Sequence, residues 1–185
     1  NLLTPDDLSV YIGIPFCPTR CAYCSFVSQS IERFGEYLPE YLTCLLQEIR
    51  HTGRLLKDSG FHIRTLYMGG GTPTTLSSEQ MQQLLAAIAD SFDLSRCLEF
   101  TVEGGRPDTL DERKLRVIKE GGATRISINP QTMSDQVLAA VGRRHTAKQT
   151  ITAFEQAVRA GFDDINMDLI AGLPADTEAG FADSI

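Results

Sequence analysis

The sequence predicts an α/β fold built on a parallel sheet. Two observations lead to this prediction: short apolar runs alternate with longer amphipathic stretches along the chain, and turn residues separate them. Short apolar runs rich in β-formers are typical of strands, and strands that alternate with helices form βαβ units with a parallel sheet. The 185 residues are enough for about one domain. We find neither an internal repeat nor a linker that would divide them.

Apolar spacing and capping residues place the individual elements. The first helix has apolar residues at helical spacing and tolerates Pro39 in its first turn. The second starts at a capping box formed by Ser77 and Gln80, and the third stops at Gly121. Strands are predicted at residues 8–14, 63–68, 98–102, 125–128 and 164–170. Helices are predicted at residues 36–56, 77–92 and 111–122, then after the caps Ser134 and Thr146, the latter helix ending at Gly161, and lastly after a cap at Asp176 or Thr177.

Composition excludes several classes of protein. The net charge of −7 argues against a nucleic-acid partner bound by a basic surface. No apolar stretch approaches the roughly 18 residues that cross a bilayer. Five cysteines, three of them clustered, do not form a disulfide framework and indicate the reducing cytoplasm. Because the first residue is Asn1 and the last residues read as a helix that has only begun, we expect a piece of a longer chain.

The most specific feature is the C-x3-C-x2-C motif formed by Cys17, Cys21 and Cys24 after the first strand. Three thiolates can bind three irons of a [4Fe–4S] cluster and leave the fourth iron open, whereas four cysteines close every iron of an electron-transfer cluster. The alternative is a structural zinc site. Zinc usually takes four N or S ligands, and the nearest further candidates, Cys44 and His51, lie far along the chain. The cluster is therefore favoured.

Polar and glycine residues gather at the carboxyl ends of the predicted strands. The cysteine motif follows the first strand, a triple glycine within Tyr67–Thr74 follows the second, and Glu103 follows the third. Glycines there either shape a tight turn or let the backbone approach a ligand closely. Gln131 follows the fourth strand and Asp168 lies late in the fifth. Barrels and open doubly wound sheets both place their chemistry at this edge, so both architectures stay open.

Several motifs carry a resemblance that covers nearly the whole chain. YIGIPFCPTRCAYC, MGGGTPT, INPQTM, GRRHT and MDLIAGLP resemble the oxygen-independent coproporphyrinogen III dehydrogenase family of radical S-adenosylmethionine (SAM) enzymes. TVEGGRPDTL and RISINPQTM most resemble the branch found as a second such dehydrogenase in some bacteria. The resemblance implies a partial (β/α)6 TIM-like barrel of the radical SAM type. Residues 1–185 would then be the N-terminal part of that core, ending after about the fifth strand.

The resemblance also implies roles for individual residues. Cys17, Cys21 and Cys24 would bind the [4Fe–4S] cluster. The glycine segment would contact the methionine part of SAM, Glu103 would hold the same cofactor, and three residues match the site of a second SAM molecule. The implied cofactor-binding residues are Tyr11, Tyr23, Gly70, Gly71, Thr72 and Glu103, with Gln131, Arg143 and Asp168 for the second molecule.

The implied activity is heme biosynthesis. A low-potential electron donor of the flavodoxin or ferredoxin kind would reduce the cluster, and the radical formed from SAM would abstract hydrogen from a propionate of coproporphyrinogen III. Loss of carbon dioxide and one electron would leave a vinyl group, and two such events give protoporphyrinogen IX. In the best-known oxidases a fourth cysteine follows two residues after the third; here that position is Phe26, as in relatives that act as heme chaperones. A heme chaperone and a radical SAM enzyme with another substrate therefore remain alternatives.

Other reactive side chains are expected to be structural or solvated. Arg106 and Arg143 are candidates to bind substrate propionates, whereas Arg20 and Arg144 are expected at the surface. Cys44 and Cys97 are expected to be buried as small apolar side chains rather than to act as ligands. Among the histidines, only His145 in the GRRHT motif is of interest.

Overall fold

The computed structural model describes residues 4–185; residues 1–3 of the expected domain lie outside the described part. The described residues form seven strands and seven α-helices, joined by turns and short 3-10 helices. In chain order these are β1 (Asp7–Ile14), β2 (Phe16–Cys17), β3 (Gln29–Ser30), α1 (Ile31–Phe34), α2 (Leu38–Lys57), β4 (His62–Gly70), α3 (Ser78–Ser91), β5 (Glu99–Glu103), α4 (Glu112–Glu120), β6 (Arg125–Ser127), α5 (Asp135–Ala140), α6 (Ala147–Arg159), β7 (Asp164–Asn166) and α7 (Glu178–Ser184).

The main sheet has five strands in the order β1-β4-β5-β6-β7, and every neighbouring pair is parallel. The strand order follows the chain order without a reversal. A doubly wound sheet has a reversal at its switch point, whereas a (β/α) barrel does not. Successive helices also pack against one another, α2 against α3, α3 against α4 and α4 against α6. The α/β prediction is confirmed, and the strand order favours the barrel type over the doubly wound alternative.

The hydrophobic core lies between one face of this sheet and the helices. Strand residues such as Leu66, Met68 and Phe100 are buried there against helix residues such as Leu84 and Ile118. Because side chains alternate along a strand, the other face carries a different set of residues. That face is polar: it carries Thr65, Tyr67, Glu99, Thr101, Glu103, Arg125 and Ser127.

Several local predictions are confirmed. Ser77 and Gln80 form a capping box at the start of α3, and Thr146 and Gln149 form another at α6. Ser134 caps α5. Thr177, rather than Asp176, is the N-cap of α7 and accepts a hydrogen bond from the Gly180 amide.

Three details differ from the sequence-based expectations. β7 ends at Asn166 instead of residue 170, because the chain then leaves the ladder and only an isolated bridge joins Gln131 to Leu169. The short parallel pair β2 and β3 has two residues per strand, too few for a recognisable pattern. Cys44 is exposed rather than buried. At 3.6 residues per turn it lies about 200° around α2 from the buried Leu42.

None of the helices within residues 4–185 is both long enough and apolar enough to cross a membrane. In the same part of the chain, all five cysteines are free thiols. Cys97 is half-buried, and its thiol donates to the Glu99 carbonyl oxygen at 3.3 Å. Burial raises the pKa of that thiol, as expected for a small apolar side chain rather than a ligand.

Candidate functional site

The three clustered cysteines lie in a loop at the carboxyl end of β1, and we call residues 17–24 the cysteine loop. Cys17 ends β2 and is buried, whereas Cys21 and Cys24 are half-buried. All three line one pocket of about 90 Å3. A residue far along the sequence fixes the loop, since the Ala22 amide donates to the Val141 carbonyl oxygen at 3.0 Å. Cysteines that the sequence separates by three and two residues therefore share one cavity.

The arrangement of these thiols bears on the kind of metal centre. Among the described residues, no group of three or more His, Cys, Asp or Glu side chains is close enough to hold a single metal ion. One zinc ion would need all its thiolate ligands at about 2.3 Å. The thiolates of a [4Fe–4S] cluster each bind a separate iron, so they are spaced around a larger object. Three thiols that line one cavity fit the donor set of the predicted [4Fe–4S] site.

The glycine segment, represented by Gly70, Gly71 and Thr72, lines the same pocket and lies next to Cys17. The Gly71 amide donates to the Ile14 carbonyl oxygen at 2.8 Å, which ties the segment to the end of β1. A Cβ atom on Gly71 would lie 2.7 Å from the Phe16 carbonyl oxygen and 3.0 Å from Cys17 Sγ. Gly70 has a φ of 114°, which favours glycine. The triple glycine is therefore required both by a turn and by a close approach to the cysteine loop.

Thr72 connects the glycine segment to the first cysteine. Its hydroxyl donates to Cys17 Sγ at 3.4 Å, and its amide donates to the Phe16 carbonyl oxygen at 2.8 Å. The side chain is buried. Thr72 thus contacts the sulfur of a predicted cluster ligand as well as lying in the predicted cofactor segment.

Glu103 and Asp168 are joined by a chain of polar side chains across the ends of three strands. Asn129 Nδ2 donates to Glu103 Oε1 at 3.3 Å, and Ser127 Oγ donates to Asn129 Oδ1 at 2.6 Å. From the other end, Asn166 Nδ2 donates to Ser127 Oγ at 3.2 Å and to Asp168 Oδ1 at 2.7 Å. The sequence analysis singled out the two carboxylates, but not the three residues that link them.

Burial controls the charge of Glu103. It raises the pKa of this carboxyl to about 7, and the nearby Asp168 carboxylate adds to the rise, while a hydrogen bond from the Gly70 amide and the Arg143 charge oppose it. A carboxyl with this pKa changes charge near neutral pH. Above pH 7 it is an anion in a pocket that also holds glycine amides, which suits an ammonium or a ribose hydroxyl as partner.

Replacing Glu103 with glutamine is expected to stabilise the protein at alkaline pH. A raised folded-state pKa means that the stability contributed by the carboxyl is complete below its ordinary pKa of 4.5 and is lost as the pH rises through about 7. Glutamine does not ionise, so it does not lose this stability. The free energy of unfolding of the variant should therefore be about 2 kcal/mol higher at pH 8, a figure reduced from the full pKa shift because the side chain is partly exposed. Urea unfolding at pH 4 and pH 8 measures this. Exposed Glu155→Gln is the control, and an equal gain at both pH values would contradict the assignment.

The two candidate arginines are both buried, and both turn toward the cysteine loop. Arg143 donates to the Tyr23 hydroxyl at 3.2 Å and to the Gly105 carbonyl oxygen at 2.9 Å. Burial lowers the pKa of Arg143 and raises that of Tyr23. Arg106 also lines the cysteine pocket, and it donates to Thr19 and to Cys21 Sγ. Arg20 and Arg144 are exposed, as expected.

Gln131 combines an unusual backbone with an unpaired polar atom. It has a φ of 70°, although it is not glycine, and this conformation is uncommon for other residues. Its backbone is fixed by hydrogen bonds, with its amide donating to the Asp168 carbonyl oxygen at 2.9 Å. The side-chain Oε1 is buried and has no hydrogen-bond partner. Gln131 is also one of the residues that line the cysteine pocket.

A second pocket of about 480 Å3 adjoins the first and shares Phe26, Gly70 and Glu103 with it. Tyr11 and Tyr67 line this pocket, with ring centroids 6.0 Å apart and an interplanar angle of 7°. Burial raises the pKa of Tyr67 to about 12. Tyr67 is not among the site residues predicted from the sequence. Its register beside Tyr11 in β1 and β4 brings the two rings together.

His145 is buried but does not line either pocket. Its Nδ1 lies 3.9 Å from Asp108 Oδ1, beyond hydrogen-bond distance, and neither ring nitrogen has a partner. Burial lowers its pKa to about 4, and the neighbouring Arg143 charge acts in the same direction. The imidazole is therefore neutral at pH 7, and it lies buried outside both pockets.

Lys114 connects two segments next to the site through hydrogen bonds. Its buried ammonium donates to the carbonyl oxygens of Thr74 at 2.6 Å and Thr109 at 2.9 Å. It therefore joins the glycine segment to the segment after β5. Burial lowers its pKa.

Replacing Lys114 with methionine is expected to lower the free energy of unfolding by about 1–3 kcal/mol, because two buried carbonyl oxygens lose their donor. Urea unfolding measures the change. Lys148→Met, at an exposed position on α6, is the matched control. Equal stability of the two variants would contradict the bracing role.

Comparison with known proteins supports the family resemblance seen in the sequence motifs. The Radical SAM superfamily model matches residues 11–185. The oxygen-independent coproporphyrinogen-III oxidase-like protein HemZ of Bacillus subtilis is 42% identical over 181 residues, which are 97% of this chain and 36% of that protein. The heme chaperone HemW of the same organism is 42% identical over 173 residues, which are 91% of this chain and 44% of that protein.

A solved structure supports the fold. Coproporphyrinogen III oxidase (HemN) from Escherichia coli superposes with a TM-score of 0.85 at 30% identity, over 97% of this chain and 40% of that one. The chain thus spans less than half the length of each of these three proteins. Since the family model covers nearly all described residues and the same parallel sheet recurs in HemN, the chain belongs to the radical SAM superfamily, in the group that includes the oxygen-independent coproporphyrinogen III oxidases.

Proposed function

We propose that residues 1–185 form part of the radical SAM core of a protein that converts coproporphyrinogen III propionates to vinyl groups. The observation that carries the proposal is the single pocket shared by Cys17, Cys21 and Cys24 with the glycine segment and Glu103. This pocket lies at the carboxyl ends of parallel strands, where barrels place their chemistry. The likeness to HemZ and HemN supports the choice of substrate.

Membership of the superfamily implies a [4Fe–4S] cluster and SAM as cofactors. Two observations fit these groups: three thiols around one cavity, and the unpaired buried Oε1 of Gln131. When bound, the two cofactors together supply reductive cleavage of the sulfonium and hydrogen abstraction from an unactivated carbon. In the proposal Cys17, Cys21 and Cys24 bind the cluster, and the residues that bind SAM are Tyr11, Tyr23, Gly70, Gly71, Thr72 and Glu103, with Gln131, Arg143 and Asp168 holding a second molecule.

The chain's own side chains give these roles a physical basis. Ionised Glu103 can pair with an ammonium group beside the Gly70 amide. Gln131 offers an acceptor, and Asp168 is exposed at the edge of the second pocket. Tyr11 and Tyr67 give that pocket a flat apolar wall. A flat wall of this kind favours a ligand with a planar or apolar part.

Arg143 lines the cysteine pocket and is part of the proposed second SAM site. Two of its nitrogens are engaged by Tyr23 and Gly105, while its Nε is buried and has no hydrogen-bond partner. A guanidinium has five N–H donors, so three remain for a ligand carboxylate. The two terminal nitrogens of Arg106 are already hydrogen-bonded to Thr19 and Cys21, so we do not propose it as a propionate-binding residue.

A low-potential protein of the flavodoxin or ferredoxin kind is the proposed electron donor, and the reducing cytoplasm the proposed compartment. Both follow from the need to reduce and protect an iron–sulfur cluster. Each propionate would lose one hydrogen atom, one molecule of carbon dioxide and one electron as it becomes a vinyl group.

Heme binding is the second candidate function. It is favoured by Phe26, which stands where the best-known oxidases have a fourth cysteine, and by the 42% identity to the heme chaperone HemW. Phe26 is exposed beside both pockets. An apolar ring at this position offers a contact surface for a tetrapyrrole whether that molecule is a substrate or a cargo.

The test is anaerobic reconstitution with iron and sulfide, reduction, and addition of SAM with coproporphyrinogen III, followed by mass spectrometry. Formation of 5′-deoxyadenosine together with loss of carbon dioxide from the propionates is the expected result. Deoxyadenosine without tetrapyrrole turnover would contradict the dehydrogenase. Tight binding of added heme under those conditions would then select the chaperone, and its absence would indicate another substrate.

A further inference from the structure

Arg106 is one of the most deeply buried charged residues in the described part of the chain, with 2% of its surface exposed. Its Nη1 donates to the Thr19 hydroxyl at 2.6 Å, and its Nη2 donates to the Thr19 carbonyl oxygen and to Cys21 Sγ, the latter at 3.1 Å. One guanidinium therefore contacts both the backbone of the cysteine loop and the sulfur of its central cysteine. The planar fork of arginine makes such a multiple contact possible, and lysine lacks it.

The segment that carries Arg106 is itself held in place. The Thr109 hydroxyl donates to the Arg106 carbonyl oxygen at 2.8 Å, and the Thr74 hydroxyl donates to the Gly104 carbonyl oxygen at 2.6 Å. Lys114 donates to the carbonyl oxygens of both threonines. These hydrogen bonds fix the backbone that carries Arg106. The guanidinium therefore has few alternative orientations.

The charge of Arg106 has no carboxylate partner. None of the ion pairs among residues 4–185 includes it. A buried cation is costly unless an anion is close. The atoms that face it are a hydroxyl, a carbonyl oxygen and the Cys21 sulfur, and of these only the sulfur can be an anion. The charge is therefore balanced when Cys21 is a thiolate ligand.

We propose that Arg106 is a positioning residue for the iron–sulfur site, which fixes the cysteine loop through Thr19 and donates a charged hydrogen bond to the Cys21 sulfur. The proposal rests on the proposed function, since the hydrogen bond affects a cluster only if Cys21 binds iron. Hydrogen bonds to the sulfurs and the local net charge set the reduction potential of such clusters. A positive donor stabilises the reduced cluster, which carries one more negative charge, and so raises the potential.

The test compares four variants with the wild-type protein. Arg106→Leu removes both contacts, and Arg106→Lys keeps the charge without the fork. Thr19→Val removes the hydroxyl that accepts from Arg106 and donates to the Gly142 carbonyl oxygen, and it leaves the Cys21 contact. Arg20→Gln is the matched control, because it removes a positive charge from the cysteine loop itself, at an exposed side chain. The readouts are the midpoint potential of the reconstituted cluster, the rate of iron loss to a chelator, and hydrogen exchange of residues 17–24 in the metal-free protein.

Arg106→Leu should shift the midpoint potential to a more negative value and release iron about tenfold faster, as is usual when a partner of a metal ligand is removed. Its cysteine loop should exchange faster without metal. Thr19→Val should share the faster exchange with little shift in potential, and Arg20→Gln should match wild type in all three readouts. Wild-type potential and iron release in Arg106→Leu would overturn the proposal, as would an equal shift in Arg20→Gln.

Two further outcomes are informative. If Arg106→Leu does not fold, Arg106→Lys decides: a smaller negative shift supports the proposal and an unchanged potential overturns it. If the wild-type protein takes up no cluster, the proposed function fails. The exchange measurement then still tests the contact to Thr19, and unchanged exchange in the Arg106 variants would overturn the positioning role.

Discussion

Replacing Cys21 with alanine should abolish the iron–sulfur cluster. Each of the three thiolates binds one iron, so the motif has no spare ligand. The nearest cysteine outside the motif, Cys44, is exposed on α2. The change also leaves the buried Arg106 charge facing an alanine, so the site loses an anion as well as a ligand. Iron content, the visible absorbance of the reconstituted protein and 5′-deoxyadenosine formation should all fall to background.

Cys44→Ala is the matched control for this experiment. Its thiol lies on the solvent side of α2, so iron content and absorbance should equal those of the wild type. A Cys21→Ala protein that kept a [4Fe–4S] cluster would show that the three-cysteine motif is not the binding site. Loss in both variants would point to a general effect of cysteine number on reconstitution.

Replacing Gly71 with alanine should damage both the fold and the site. The new Cβ would come within 2.7 Å of the Phe16 carbonyl oxygen and 3.0 Å of Cys17 Sγ. The first of these is a backbone atom, so β2 must shift and move Cys17 with it. Crowding of this kind costs about 1–3 kcal/mol, which is roughly 3–10 °C in Tm for a chain of this size. Iron content after reconstitution should also fall, because a predicted ligand is displaced.

Gly35→Ala provides the control for crowding. Gly35 has a φ of −62° and a ψ of −24°, which alanine adopts without strain. The nearest atom to its added Cβ is Ile31 Cγ1, at 3.4 Å. Tm and iron content should therefore stay close to wild type. If Gly71→Ala behaved in the same way, the close approach between the glycine segment and the cysteine loop would not matter for either property.

Much of the fold could be predicted because the elements carry strong local signals. The capping boxes at α3 and α6 and the apolar run of β1 each specify their structure within a few residues. The strand order could not be obtained this way, because both barrel and doubly wound sheets use the same local units. The end of β7 was missed for a related reason. Apolar residues continue to residue 170, but regular pairing with β6 stops at Ser127 and Asn166, and only the isolated bridge between Gln131 and Leu169 follows.

The residues of the site likewise divide into those that the sequence predicts and those that it does not. The cysteine motif, the glycine segment and Glu103 follow consecutive strands, so the topology alone brings them to one edge of the sheet. The partners of these residues depend on side-chain direction in three dimensions. Arg106 is predicted from the sequence as a propionate-binding candidate, and no pattern in the sequence indicates its contacts with Thr19 and Cys21. Asn129 and Asn166 carry no motif, although they join the carboxylates.

The long-range contacts of the cysteine loop set the order of events during synthesis. Thr19 donates to the Gly142 carbonyl oxygen, a partner 123 residues later in the chain, and Ala22 donates to Val141. At about 5–20 residues per second, a ribosome needs roughly 6–25 s to cover that distance. During this time the three thiols exist on the nascent chain without the segment that fixes their loop. We therefore expect stable cluster insertion only after residues 141–142 have been synthesised, with the thiols kept reduced by the cell until then.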